Sequence, residues 1–311
     1  MPTNKGSFKL FRFAGIDVYV HWSWFLAFWY FSSQPHQYSN YGWNALEVLS
    51  LFLIVLTHEF GHQLACRQVG GKTHDIVLWP LGGVAYVSPP QRPGAQLWSI
   101  AAGPLVNVLL IPVLAAIWSA SFHLGWPGSN PNAYELTHQI WRINLVILIF
   151  NLMPVFPLDG GQILRSLLWF PFGRANSLFI AAIIGIVSAA AFVIYLVLKF
   201  VAPNADRQQL GYLVLIALFI LMNSWSGLKH ARDLARIAKL PRREGFACAS
   251  CKAAPPIGAF WNCGKCGQPF DFFLHHGTCP NCSTISNSAP CLDCGGLNSL
   301  PAWNVGPTMD V

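Results

Sequence analysis

Charge is scarce in this sequence. Only 10% of the 311 residues are Asp, Glu, Lys or Arg, while 54% are hydrophobic. A soluble globular chain carries about a quarter charged residues. The deficit excludes a water-facing surface over most of the chain and places most of it in a membrane. Acidic residues are scarcer still, 12 against 19 Lys and Arg, for a formal net charge of +7. In such a chain the basic excess marks cytoplasmic loops rather than a nucleic-acid surface. Cysteine is nearly absent before residue 248: Cys66 stands alone, and the other eight lie between 248 and 294. That break marks a second, small domain. No cleavable leader is expected either. "MPTNKGSFKLFRFAG" starts basic but is not followed by a short apolar core and a cleavage site, so the first apolar stretch is expected to remain as a span.

A bilayer-crossing helix needs about 20 mostly apolar residues. Six stretches qualify as expected spans: roughly 15–33, 45–66, 97–122, 138–154, 177–200 and 209–229. Lys5, Lys9 and Arg12 precede the first span, and Arg67, Lys72 and Arg92 follow the second. Arg165 and Arg174 follow the fourth, and Lys229 to Arg243 form a basic run after the sixth. The intervening loops are nearly free of cations, so both termini are expected in the cytoplasm. Between spans two and three, "HDIVLWPLGGVAYVSPP" surrounds Gly82 and Gly83 with apolar and β-branched residues. It reads as a short membrane-associated β-hairpin; the alternative is a plain cytoplasmic turn.

Span two ends in "THEFGHQLAC" (57–66), where a membrane helix ordinarily carries leucine. Ionisable groups inside a span cost about 2.5–3.5 kcal/mol each on insertion scales and mark function by default. Positions i and i+4 share one helix face, so His58 and His62 can offer two imidazoles to one metal, with Glu59 beside them able to reach a water. A catalytic zinc needs a third protein ligand and an open position. Among the acids that follow, Asp75 lies in the hairpin, Glu135 and Asp206 in far-side loops and Asp233 beyond the last span. Asp159, in "FNLMPVFPLDGGQ", is the one placed at the same membrane face as His58 and His62. Cys66 reads as a small buried hydrophobe, because a fourth protein ligand would close the water position. His21 reads as a hydrogen-bonded bundle residue.

"HEFGH" on one span with "NLMPVFPLDGG" after another resembles the site-2 protease family of intramembrane zinc metalloproteases, over roughly residues 10–235. The resemblance implies His58, His62 and Asp159 as zinc ligands and Glu59 as general base. It implies that Asn151 holds substrate backbone or the developing oxyanion, and that Pro157 shares that substrate-binding segment. "AAGPLVN" (101–107) resembles the family's third-span motif, which turns Asn107 toward the site, and Gly82–Gly83 resembles its substrate-positioning β-loop. A membrane-protein substrate with a transmembrane helix follows as the expected partner.

The C-terminal cysteines form four C-x-x-C pairs: Cys248/Cys251, Cys263/Cys266, Cys279/Cys282 and Cys291/Cys294. Two-residue spacing at short intervals is a zinc signal, and a disulfide framework conflicts with a cytoplasmic location. The simplest pairing is sequential, the first four cysteines on one structural zinc and the last four on another, in a module resembling a double zinc ribbon; the alternative, an interleaved pairing, needs longer loops. A regulatory protein is its expected partner; its few basic residues argue against nucleic acid.

The expected fold is therefore an all-α polytopic membrane protein of about six transmembrane helices with a short β-hairpin, plus a small zinc-ribbon domain. The expected boundaries are 1–240, a basic linker at 241–247, the ribbon at 248–294 and a tail at 295–311. The expected function is an intramembrane zinc metalloendopeptidase with one catalytic and two structural zinc ions. The alternative is a membrane metal transporter, or an anchor that displays the ribbon.

Overall fold

The computed structural model describes residues 6–33, 38–79, 82–200 and 207–303. Two compact units emerge, one from residues 1–170 and 180–224, the other from 171–179 and 225–311. The expected boundary near 240 falls inside the second unit, which also takes in a segment of a long helix.

The first unit opens with β1 (Ser7–Phe13), β2 (Ile16–His21) and α1 (Ser23–Ser33), followed by α2 (Tyr41–Gln68). Next come β3 (Lys72–Trp79), β4 (Gly82–Ser88), α3 (Pro93–His123), the single turn α4 (Trp126–Ser129) and α5 (Pro131–Leu152). α6 (Asp159–Phe200) and α7 (Arg207–Ala238) complete the long helices. The strands form one sheet in the order β1-β2-β3-β4. β1–β2 and β3–β4 are antiparallel and β2–β3 parallel.

Two expectations change here. The unit is not all-α, and the expected first span at 15–33 is a strand followed by an 11-residue helix, which falls short of a bilayer's thickness. The reason is periodicity. Ile16, Val18 and Val20 are buried while Asp17 and Tyr19 between them are partly exposed, a period of two that averaged hydropathy hides. Among the described residues three helices are long and apolar enough to cross a membrane: Tyr41–Gln68, Pro93–His123 and Asp159–Phe200. The expected fourth span overlaps α5, which ends at Leu152, and the sixth falls within α7; residues 201–206, before the sixth, lie outside the described residues, as do Pro80 and Leu81 at the hairpin tip.

Local chemistry sets the helix ends. The Asn40 side chain accepts hydrogen bonds from the Gly42 and Trp43 N–H groups to cap α2, and Asn130 caps α5 with Pro131 at its first position. Pro171 and Gly173 (φ 75°) interrupt α6, so it is two helices meeting at a break. Ile16, Val18, Val20, Ile76 and Leu78 from the sheet pack with Leu56 of α2, so the sheet lies against the helix that carries HEFGH. Gly61 lets α2 and α3 approach: a Cβ there would sit 2.7 Å from the Ala102 carbonyl oxygen. The outer faces keep large apolar side chains exposed, among them Leu109, Ile149, Val187 and Leu198, as a lipid-facing surface does.

In the second unit, β5 (Trp261–Asn262) pairs with β6 (Pro269–Phe270), β7 (Ser288–Pro290) pairs with β8 (Leu297–Ser299), and α8 (Leu300–Trp303) follows. Trp261, Phe270, Phe272, Phe273 and Trp303 form one aromatic core together with five buried cysteines.

Candidate metal centres

His58, Glu59 and His62 lie on the last turns of α2, all buried. Asp159 is the first residue of α6, delivered there by the turn after α5. His58 Nε2 lies 3.0 Å from Asp159 Oδ2, His62 Nε2 lies 3.3 Å from the same oxygen, and the two Nε2 atoms are 3.1 Å apart. Ligands of a tetrahedral zinc, each about 2.0–2.1 Å from the ion, stand about 3.3 Å from one another. The spacing fits.

The outer nitrogens settle which atoms face the centre. His62 Nδ1 is 2.9 Å from the Ser99 carbonyl oxygen, which only accepts, so Nδ1 carries the hydrogen and Nε2 the lone pair. His58 Nδ1 is 2.5 Å from Asn107 Oδ1. Two imidazole lone pairs and a carboxylate oxygen converging in a buried space repel one another unless a cation sits between them. The donor set, two imidazoles and one carboxylate, suits zinc and leaves a fourth position for water.

Glu59 stands beside this group without joining it. Its Oε2 accepts the Ala85 N–H of β4 at 2.9 Å. The backbone of Gly83 presses on the same side chain, since a Cβ there would lie 2.4 Å from Glu59 Cγ. From α3, Gly103 fits under the two rings, where a Cβ would lie 2.3 Å from His62 Nε2 and 2.7 Å from His58 Nε2. Both glycines are close-approach sites.

The remaining candidates are placed as follows. Asn107 is fully buried and bonds His58, its amide donating to Asn144 Oδ1 at 2.8 Å. It braces a ligand rather than facing open space. Asn151 is half-buried in the last turn of α5. Pro157 lies in the turn before Asp159, where its carbonyl accepts from Gln162 at 3.1 Å. Gly82 adopts φ 138° at the start of β4, with open space beside it. Cys66 lies outside the ligand group, its Sγ 3.6 Å from the Lys72 carbonyl. His21 bonds Ser23 at 2.6 Å and stacks on Trp79, as a packed histidine does. Sequence reasoning missed the roles of Asn144, the Ser99 carbonyl and Gly103. Asn144 left a signal as an amide within an apolar run, and Gly103 lies within the quoted AAGPLVN stretch.

The cysteines form two further groups, and the expected sequential pairing is wrong. Cys248, Cys251, Cys291 and Cys294 make one group, and Cys263, Cys266, Cys279 and Cys282 the other. The pairs nest. Sequential groups would split the chain into two lobes, each needing its own core. Nesting lets one aromatic core serve both. Sulfurs contributed by different knuckles lie 3.5–3.7 Å apart, near the roughly 3.8 Å edge of a tetrahedral zinc–thiolate site and far beyond the roughly 2.05 Å of a disulfide. All four knuckles close the same way, the residue after the second cysteine taking positive φ: Lys252, Gly267, Ser283 and Gly295. Thr284 lies 3.2 Å from Cys282 Sγ, and its hydroxyl and N–H bring that thiol down to about 6, favouring the thiolate that binds metal. Arg242 grips Asp293, inside the last knuckle, through two contacts of 2.6 and 3.0 Å.

Two histidines one helical turn apart, a carboxylate from a distant helix and a second carboxylate beside them define a zinc-metalloprotease type of centre inside a helical membrane bundle. Residues 46–141 and 130–196 match peptidase family M50. Zinc metalloprotease MJ0392 of Methanocaldococcus jannaschii is 35% identical over 179 residues, covering 58% of this chain and 50% of its own. Stage IV sporulation protein FB of Bacillus subtilis is 33% identical over 136 residues, 42% of this chain and 44% of its own. The chain thus spans about half the length of the curated relatives it matches. The solved site-2 protease from Methanocaldococcus jannaschii superposes with a TM-score of 0.50 at 26% identity, covering 71% of this chain and 95% of that one. Over residues 46–196 the membrane unit is thus similar to peptidase family M50, and it has the site-2 protease fold.

Proposed function

We propose that this protein is a multi-pass intramembrane zinc metalloendopeptidase, cleaving a peptide bond in or near a transmembrane segment of a membrane-protein substrate. The observation that carries this is the convergence of His58 Nε2, His62 Nε2 and Asp159 Oδ2 within 3.0–3.3 Å, with Glu59 buried alongside and outside the ligand set.

His58, His62 and Asp159 would hold the zinc, whose chemistry when bound is Lewis acidity toward the scissile carbonyl and a water made acidic enough to ionise near neutral pH. Glu59 takes the proton from the attacking water and passes it to the leaving amine. The Ala85 N–H and the Gly83 backbone hold its carboxylate in place for that transfer. A substrate helix hides its carbonyls in internal hydrogen bonds and must unwind to react. β4 is an edge strand of the sheet, so an extended substrate segment can add beside it by main-chain pairing. Asn151 donates to the developing oxyanion. The basic loops support a cytoplasmic location for both termini.

The second unit holds two structural zinc ions in the nested cysteine groups. Its partner is a regulatory or substrate protein.

The test is Glu59→Gln in the full chain. Zinc at the membrane site is retained, while cleavage of membrane proteins, followed by comparative membrane proteomics, falls about 10²–10⁴-fold. Unchanged cleavage overturns the proposal; metal flux without proteolysis replaces it with transport.

A further inference from the structure

Asn107 and Asn144 are fully buried, on α3 and α5. Asparagines in membrane bundles commonly serve as interhelical glue. These two do something more ordered, because their bonds have a direction anchored at a backbone atom.

Asn144 Nδ2 lies 3.0 Å from the Asn107 backbone carbonyl. A carbonyl oxygen only accepts, so the donor end of the Asn144 amide must point there. Its Oδ1 is thereby turned to Asn107 Nδ2, 2.8 Å away. The Asn107 amide is fixed in turn, with Oδ1 toward His58 Nδ1 at 2.5 Å. An amide oxygen only accepts, so the hydrogen of neutral His58 sits on Nδ1 and the lone pair on Nε2, 3.0 Å from Asp159 Oδ2. His62 reaches the same state more simply, through the Ser99 carbonyl. Were the Asn107 amide flipped, its NH₂ would face Nδ1 and favour the tautomer with hydrogen on Nε2, which cannot ligate.

We propose that Asn144 is a positioning residue for the metal centre. Through Asn107 it holds His58 in the tautomer and orientation that present Nε2 to the ion. This rests on reading His58, His62 and Asp159 as a zinc site. Partners that orient a ligating histidine are typically worth about 10–100-fold in metal affinity or activity.

The test uses the full chain in detergent and titrates its zinc against a competing chelator. The His58→Ala variant defines the signal from the cysteine groups alone. Asn144→Leu keeps the size of the side chain and removes its polarity. Zinc retention at the membrane site is expected to weaken about 10–100-fold, with the cysteine-bound zinc unchanged as a sign that the chain is folded. Thr137→Val is the control. Thr137 Oγ1 lies 3.1 Å from Ser121 Oγ and joins the same two helices without reaching His58; its loss leaves zinc retention as in the wild type. Asn107→Asp in the Asn144→Leu background is the rescue. A carboxylate has no donor end to misdirect, so retention recovers.

Wild-type retention in Asn144→Leu overturns the proposal. So does an equal loss in Thr137→Val, or failure of the Asn107→Asp rescue, since either makes Asn144 a packing residue. If Asn144→Leu does not fold, the pair Asn107→Leu and Asn107→Asp asks the same question, with loss expected in the first and retention in the second; equal behaviour overturns the relay. Because the readout is metal, a wild type that binds zinc yet cleaves nothing would sink the peptidase reading and leave this one standing.

Discussion

Gly103→Ala isolates the packing that holds the membrane site together. The added Cβ would lie 2.3 Å from His62 Nε2, 2.4 Å from His62 Cε1 and 2.7 Å from His58 Nε2. Favourable contact between such atoms begins at about 3.5 Å, so the deepest overlap is about 1.2 Å. The rings cannot yield by rotating. His62 is pinned at Nδ1 by Ser99 and His58 by Asn107, at 2.9 and 2.5 Å. Either the rings move, or α3 retreats from α2 along the seam where Gly61 meets the Ala102 carbonyl. Overpacking of this kind costs about 1–3 kcal/mol of stability. The effect on metal is larger in consequence, because a site needs its ligands within about 0.5 Å of productive geometry. Zinc bound per full chain, measured on detergent-purified protein, is expected to fall by the membrane-site share, with the cysteine zinc intact. Gly61→Ala separates the two effects. It crowds the same helix pair, with its Cβ 2.7 Å from the Ala102 oxygen, but touches no ligand, so it destabilises without selective zinc loss. A Gly103→Ala protein that holds membrane-site zinc as tightly as the wild type would refute the ligand geometry.

Gly83→Ala drives a Cβ to 2.4 Å from Glu59 Cγ and 2.6 Å from Oε1, so it should keep zinc and lose most cleavage; zinc loss instead would place Glu59 among the ligands. The nested cysteine groups predict that Cys248→Ser with Cys291→Ser, both in one group, removes one zinc, whereas Cys248→Ser with Cys263→Ser disrupts both groups; the reverse result restores sequential pairing. Because metal binding supplies much of the folding free energy of so small a module, chelation should render residues 248–303 protease-sensitive while the membrane helices remain resistant, and undiminished protection would show that the aromatic core suffices alone.

Much of the site was legible because its chemistry is local. His58, Glu59 and His62 follow from helix periodicity, and their cost in a greasy helix made them conspicuous. Asp159 emerged because acids are so few. The four C-x-x-C pairs announced metal by spacing, and Gly267 and Gly295 marked two of the four turns at positive φ, the other two being held by Lys252 and Ser283. What did not emerge was whatever depends on partners distant in the chain. Averaged hydropathy turned the strand Ile16–His21 into part of a span, since its alternation becomes meaningful only once β3 lies beside it. The nesting of the cysteine groups required the shared aromatic core. The sequence by itself determined the ligand types, the metal class and the membrane setting, because these reside in side-chain chemistry and short periods. Only the tertiary structure decided which cysteines share an ion, that Gly83 and Gly103 crowd Glu59 and the histidines, and that Asn107 faces His58 rather than substrate. The last two depend on helices and a sheet edge meeting within a few ångströms, and the first on the shared aromatic core, geometries that no local pattern encodes.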